Sequence, residues 1–275
     1  MKEKIFRLIK NILAFIIFYK PKTIIIMPEG VRFGNHLYYL LNCYTQKNTY
    51  VLEHPHLEKW LEIFPMLKTL VVEKKKINLL DFKKKDYNFH QKYGEDFSPI
   101  ELHNFIKEKI NPNFNTQSYT NSDDKLTIHI RIGDYYSNKA NEDKYGYSQI
   151  NYLKYIITSE KYFSFFNNIS EIVIISDNQK WCKENLDFLK TKVTKVTISD
   201  KFNDPYISFL SICSSKNLII TNSTFSYWGA YISNFLFNNE DRVIAPEFHS
   251  RQTMQAYQLN KKWNIVTHQE FDFCS

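Results

Sequence analysis

The amino-acid sequence predicts an α/β fold with parallel sheets, divided into two domains. Three observations carry this expectation. From residue 126 onward, short apolar runs alternate with helical stretches, the pattern of a doubly wound parallel sheet. Near the amino terminus the β-branched run Thr23–Met27 opens a separate α/β pattern. Between them the polar stretch 111–124, starting Asn111-Pro112-Asn113, is rich in turn formers and reads as a linker. A chain of 275 residues is long enough for two domains of ordinary size. The expected domains are 1–120 and 125–275, with the carboxyl-terminal segment packing back on the first.

Each element follows in order. Ile5–Tyr19 is apolar but interrupted by Arg7, Lys10 and Asn11, too short a run to span a hydrocarbon core of about 30 Å. No small-x-small cleavage site follows it. It reads as a helix in a membrane interface, with Phe6, Ile9, Leu13, Ile16 and Ile17 on one side, or as a helix packed on the protein's own core. Thr23–Met27 is a strand that delivers the loop Pro28–Asn35, and His36–Cys43 a helix. Residues 45–120 give weaker signals, with helices around 56–63 and 99–109. After the linker come strands at Leu126–Ile132, Glu171–Ser176, Val193–Ile198, Leu218–Thr221 and Arg242–Ala245. Helices alternate with them over 149–166, 178–190, 205–214 and 224–237.

Composition narrows the function. Apolar residues at 43% and charged residues at 24% describe a globular protein. The 6 glycines allow neither a dinucleotide-binding G-x-G-x-x-G nor a phosphate-binding G-x-x-x-x-G-K-[ST]. No two aspartates stand two apart, so the D-x-D that holds a divalent metal on sugar nucleotides is missing, and any diphosphate must be met by fixed cations and backbone dipoles. The 4 cysteines form no C-x-x-C pair, which suits idle thiols in a reducing, cytoplasmic setting. Net charge is +7, of which +5 falls within residues 1–124, including the triplets Lys74–Lys76 and Lys83–Lys85. The triplets read as a solvated surface or as an attraction to anionic lipid or a lipid-linked diphosphate. With no recognition motif beside them, nucleic acid is not the expected partner.

Ligands of doubly wound sheets bind beyond the carboxyl ends of the strands, and the unusual polar residues fall there. His129 and Arg131 share one side of a strand that turns at Gly133. An arginine so placed can grip a diphosphate through two parallel charge-assisted hydrogen bonds, or pair structurally with Asp134. A second strand runs into Asn222-Ser223-Thr224-Phe225-Ser226 and then a helix. Those residues cap the helix, or leave its amides aimed at an anion. Asp177 ends a third strand, as an acceptor for a guanine edge or a helix cap.

The set His-x-Arg-x-Gly-Asp-Tyr from His129, Ser-Asp-Asn-x-x-Trp-Cys from Ser176, Asn-Ser-Thr-Phe-Ser-Tyr-Trp from Asn222, and Val243-Ile244-Ala245-Pro246 resembles the α-1,2-fucosyltransferases of glycosyltransferase family 11. Gly34-Asn35-His36 is similar to that family's Gly-Asn-Gln, and Trp263–Val266 to its terminal strand, so the resemblance runs from residue 30 to about 266. It implies a GT-B fold of two Rossmann-like domains facing a cleft, the first on the acceptor side and the second binding the donor. It also implies GDP-fucose as donor, a glycan acceptor, inversion, and no metal or other cofactor. On this resemblance Arg131, Asp134, His129 and Asn35 are the catalytic candidates. Gly34, Asn35, His129, Arg131, Asp177, Asn222, Ser223, Thr224, Phe225 and Ser226 are the donor-binding candidates. The chain departs from the family at Ile132, where a second arginine is usual, and at His36, Ser208, Asn217 and Tyr227. Arg32–Asn35 also resembles the Arg-Phe-Gly-Asn of protein O-fucosyltransferases. Candidate bases for the acceptor hydroxyl are Glu29, His36, Asp134 and Glu247. The expected setting is synthesis of a bacterial surface glycan, with peripheral contact on the inner face of the cytoplasmic membrane.

Overall fold

In the computed structural model, which describes residues 19–111 and 122–271 together with Phe6, Arg7 and Lys10, every sheet pairing is parallel. The first sheet contains β1 (Thr23–Ile26), β2 (Thr49–Leu52), β3 (Val71–Val72) and β4 (Phe82–Lys85), in the order β3-β2-β1-β4. Helices α1 (Phe33–Thr45), α2 (Glu58–Ile63) and α3 (Pro99–Phe105) accompany it. The second sheet contains β5 (Lys125–Ile130), β6 (Glu171–Ser176), β7 (Lys195–Ile198), β8 (Asn217–Ile219), β9 (Val243–Pro246) and β10 (Asn264–Val266), in the order β10-β9-β8-β5-β6-β7. Its helices are α4 (Lys139–Tyr145), α5 (Gln149–Thr158), α6 (Gln179–Asn185), α7 (Pro205–Cys213) and α8 (Thr224–Phe237). This is the two-sheet α/β architecture of the GT-B type.

The two-residue period of the strands sorts the core. Val173 and Ile175 on one face of the second sheet join Ile25 of the first sheet, Leu37 and Tyr38 of α1, Phe209 of α7 and Trp228 of α8 in one continuous apolar cluster. Ile172 and Ile174, on the opposite face, pack with Ile128, Ile130, Tyr152 and Ile156 in a second. Helices α7 and α8 therefore lie between the sheets. Their approach is close enough that a Cβ added at Gly229 would stand 2.3 Å from Ile212 Cγ2.

Several expected elements are shorter than their patterns. The stretch 149–166 breaks at Ser159, which is extended, and continues as a 3-10 helix over Glu160–Phe166. The strand expected over Leu126–Ile132 ends at Ile130, because Ile132 turns to φ −108°, ψ −63°. Helix α3 starts at a capping box between Ser98 and Glu101 and passes into a π turn over Ile106–Ile110. Three elements of the first sheet, β2, β3 and β4, fall in the stretch that carried no strand signal.

The chain's last third returns to the first half: Tyr93 N donates to Tyr257 O at 2.9 Å, and Gln258 Nε2 to Gln91 Oε1 at 2.6 Å. The interface helix expected over 5–19 lies outside the described residues apart from Phe6, Arg7 and Lys10, which are helical, and Tyr19. The linker lies outside them over 112–121. Among the described residues no helix is long and apolar enough to cross a membrane.

Candidate functional site

The order of the second sheet reverses between β5 and β8, so its topological switch point lies at their carboxyl ends. The two motifs singled out in the sequence leave from those two strands. His129 is the penultimate residue of β5, and Asn222–Ser226 leads from β8 into α8. His129 Nδ1 and Ser226 Oγ are 2.5 Å apart, which ties the strand end to the helix start, and the imidazole lies against Phe225 with ring centroids 5.7 Å apart. Burial, with the charge of Arg131 second, pushes the His129 pKa down to about 3. The ring is neutral at pH 7 and acts by hydrogen bonding, since so weak a base is poorly matched to proton abstraction.

Arg131, two residues further along the chain, is half-buried between two carboxylates. Its Nη1 lies 2.6 Å from Asp177 Oδ2, and its Nη2 and Nε lie 2.7 and 3.1 Å from Asp134 Oδ1. Burial works against its charge, while Asp177 and then Asp134 strengthen its hold on the proton. The two acids differ. Asp177 Oδ1 also accepts from the backbone N–H groups of Ile132 and Gly133 at 2.9 and 3.2 Å, which anchors it, whereas Asp134 is 56% exposed. A Cβ at Gly133 would stand 2.2 Å from Asp177 Oδ2, so the glycine makes room for this carboxylate. The cap of α6 is Asn178, whose Oδ1 accepts from Trp181 N at 3.0 Å. Asp177 is thus an arginine anchor, not a helix cap.

The start of α8 is open. Ser223 occupies the cap position with extended backbone, but its side chain makes no capping hydrogen bond. The first-turn amides of Thr224, Phe225 and Ser226 have no partner within the helix by geometry. Helix α1 begins likewise: Arg32 is at its cap position and makes no side-chain cap. These two starts meet. An ideal Cβ on Gly34 would fall 2.6 Å from Phe225 N and 2.7 Å from Thr224 Oγ1, so only glycine lets the two helix starts approach so closely. Two positive helix ends and a guanidinium therefore gather at the switch point.

Asn35, next to Gly34, is held by an amide chain: its Oδ1 accepts from Gln91 Nε2 at 2.8 Å, and Gln91 Oε1 accepts from Gln258 Nε2. Asn222 is fully buried and works as a clamp. Its Nδ2 donates to Tyr145 O and His249 O, both at 2.9 Å, and its backbone carbonyl accepts from Tyr135 Oη at 3.1 Å.

The candidate bases separate. Glu247 Oε2 is 3.0 Å from His268 Nδ1, and Glu29 lies in an exposed turn. His36 is fully buried, neither ring nitrogen has a hydrogen-bond partner, and its pKa is pushed down to about 3 by burial and then by His54, His56 and Arg32. Asp134 alone of the four pairs with Arg131. The departures from the family pattern are built into the structure. Ile132 belongs to the core, Ser208 Oγ donates to Phe202 O at 2.8 Å, and Asn217 Oδ1 accepts from Arg242 Nε at 2.7 Å.

Sequence reasoning missed the group around α1's start, where Arg32 Nη1 lies 2.7 Å from His56 Nε2 and the His36 and His54 rings are 5.0 Å apart. The signal was His54-Pro55-His56 directly after β2, a strand that had not been recognised. Among the described residues no group of three or more His, Cys, Asp or Glu side chains is arranged to hold a metal ion.

Similarity to known proteins follows the same ground. The chain is 30% identical over 146 residues to an Alpha-1,2-colitosyltransferase of Escherichia coli, covering 53% of this chain and 46% of that protein. It is 28% identical over 144 residues to the O-antigen biosynthesis glycosyltransferase WbnK of Escherichia coli, covering 52% and 41%. With the Galactoside alpha-(1,2)-fucosyltransferase 1 of Leontocebus fuscicollis identity is 24% over 149 residues, covering 53% and 40%. In each case the match spans less than half of the relative's length. The family model for Glycosyl transferase family 11 matches residues 40–267, which takes in β2 through β10 and every motif of the second sheet, and the chain belongs to that family.

Proposed function

We propose that this protein transfers fucose from GDP-fucose to a hydroxyl, galactose O2, of a bacterial surface glycan or its lipid-linked precursor, with inversion and without a metal. One observation carries the reading: Arg131 stands at a switch point where two uncapped helix starts converge. The relatives named for O-antigen biosynthesis and for α-1,2 transfer support the acceptor class and the linkage. The buried free thiols Cys43, Cys182 and Cys213 suit a reducing compartment, so the reaction is read as cytoplasmic.

In this scheme the bond between the sugar's anomeric carbon and the β-phosphate oxygen breaks, and its electron pair leaves on GDP. The acceptor oxygen forms the new bond from the opposite face and releases its proton to solvent water. Arg131 and the α8 amides stabilise the charge that builds on the phosphate, the task a metal performs elsewhere. Asp177, pinned by two backbone amides, holds the guanidinium in place. Asp134, the more exposed partner, gives way to the phosphate. His129, fixed by Ser226, positions the strand end beside the arginine, and Asn35 faces the sugar from the first domain.

The colitosyltransferase relative favours a second reading in which the same diphosphate grip carries colitose. Mass spectrometry of products formed from GDP-fucose, GDP-mannose, UDP-sugars and a colitose nucleotide with a panel of β-galactosides separates the readings. Fucosylated product at O2, unaffected by a chelator, supports the proposal. Product from a UDP-sugar alone, or chelator sensitivity, contradicts it.

A further inference from the structure

The turn before β4 inverts the usual placement of polar and apolar side chains. Asp81 is buried, and its carboxylate accepts from Tyr19 Oη at 2.6 Å, Lys22 N at 2.8 Å and Asn78 N at 2.9 Å. Its neighbours Leu79, Leu80 and Phe82 face water, Leu79 completely and Phe82 at 67%. A hydrogen-bonded carboxylate below and three large apolar groups above form a constructed surface, not a loose loop. Beside it β4 is the edge strand of the first sheet, with Phe82, Lys83, Lys84 and Lys85 all exposed. Lys83 and Lys85 have no ion-pair partner among the described residues, while Lys84 pairs with Asp86 and Lys75 and Lys76 pair with Glu73.

We propose that this edge is the protein's docking face for an anionic lipid bilayer, with Leu79, Leu80 and Phe82 entering the interface and the lysines of β4 meeting lipid phosphates. Apolar groups rimmed by lysine match both layers of such a surface, the acyl boundary and the charged headgroups. A neutral protein partner would leave the lysines unmatched. Two signals are needed for stable anchoring, and this edge combines them, apolar side chains to insert and a basic strand to meet the headgroups. The turn lies at the amino ends of β1 and β4, where Thr23 pairs with Phe82. The start of α1, which belongs to the candidate site, follows the carboxyl end of β1, so the docking turn lies at the opposite end of that strand.

The full chain is sedimented with vesicles of phosphatidylcholine and with vesicles containing phosphatidylglycerol. Binding is expected only where phosphatidylglycerol is present. Lys83→Gln, Lys84→Gln and Lys85→Gln combined should weaken it roughly 100-fold, about five-fold per lysine. Leu79→Ser with Leu80→Ser and Phe82→Ser should also release the protein while its thermal midpoint stays unchanged, because these side chains are exposed. Leu79→Trp should show blue-shifted emission on the vesicles, quenched by brominated acyl chains. Equal binding to both vesicle types, or unaltered binding by both combined variants, overturns the proposal. A lipid-independent dimer that the serine changes dissolve overturns it in favour of a second copy of the chain. None of these readouts depends on the donor sugar.

Discussion

The second sheet and the first carry their polar residues in opposite ways. In β5, β6 and β8 nearly every residue is buried, so charged groups fall at the strand ends, with His129, Arg131, Asp177 and Asn222–Ser226 at or just beyond the carboxyl ends. In the first sheet β4 is Phe-Lys-Lys-Lys and fully exposed, and its polar residues lie along the strand itself. A strand covered on both faces concentrates chemistry at its end. An edge strand open to water does not, and it is free to serve as a surface.

Substitution at Arg131 should break this contrast most. On the proposed reading Arg131→Ala removes two charge-assisted hydrogen bonds to phosphate, each worth about 1.5–3 kcal/mol, and should lower transfer by roughly 100- to 10 000-fold with circular dichroism unchanged. Lys83→Gln, in the first sheet, should leave transfer to a water-soluble acceptor as it is. Comparable losses in both variants would erase the distinction between the sheets.

The next effect is on the seam between them. Gly34→Ala drives a Cβ against the backbone of Thr224 and Phe225, and overpacking of this kind costs about 1–3 kcal/mol, or roughly 2–12 °C in thermal midpoint. An unchanged midpoint would mean that the helix starts separate freely.

Acid should act on both halves through buried imidazoles. The pKa values of His36 and His129 are pushed down from 6.5 to about 3 by burial, so the fold keeps them neutral while the unfolded chain takes up protons below 6.5. Stability should therefore be fully present above pH 6.5 and fall as the pH drops toward 4, by about 2 kcal/mol per histidine at pH 5. Urea midpoints at pH 7 and pH 5 measure the loss. His36→Gln in the first half and His129→Gln in the second should each flatten it, and a parallel drop in wild type and both variants would contradict the burial argument.

The smallest effect separates the two acids on Arg131. Asp134→Asn removes a largely exposed charge that, on the proposed reading, competes with the donor phosphate, so the donor KM should fall by up to about five-fold. A rise in KM would instead mean that Asp134 contacts the donor.

Much of the second domain was legible because its strands are continuous apolar runs: Glu171–Ser176 and Thr224–Phe237 stand where the pattern put them. The first sheet was less legible for physical reasons. β3 has two residues, too few for periodicity, and β4 is lysine-rich with no buried face. The strand-end histidines His54 and His56 went unnoticed with β2. Of the site, the residue types and the local Arg131–Asp134 pair were readable, and the long-range partnerships were not. No sequence pattern shows that Gly133 makes room for Asp177, that Gly34 meets α8, or that Asn222 is spent on two backbone carbonyls. Those are long-range contacts set by strand order.

The most direct test of the account is a crystal structure of the protein with GDP. The β-phosphate should lie against the Arg131 guanidinium and the amides of Thr224, Phe225 and Ser226, with Asp134 released and Asp177 still in place. A diphosphate bound elsewhere, with Arg131 still held by both carboxylates, would contradict it.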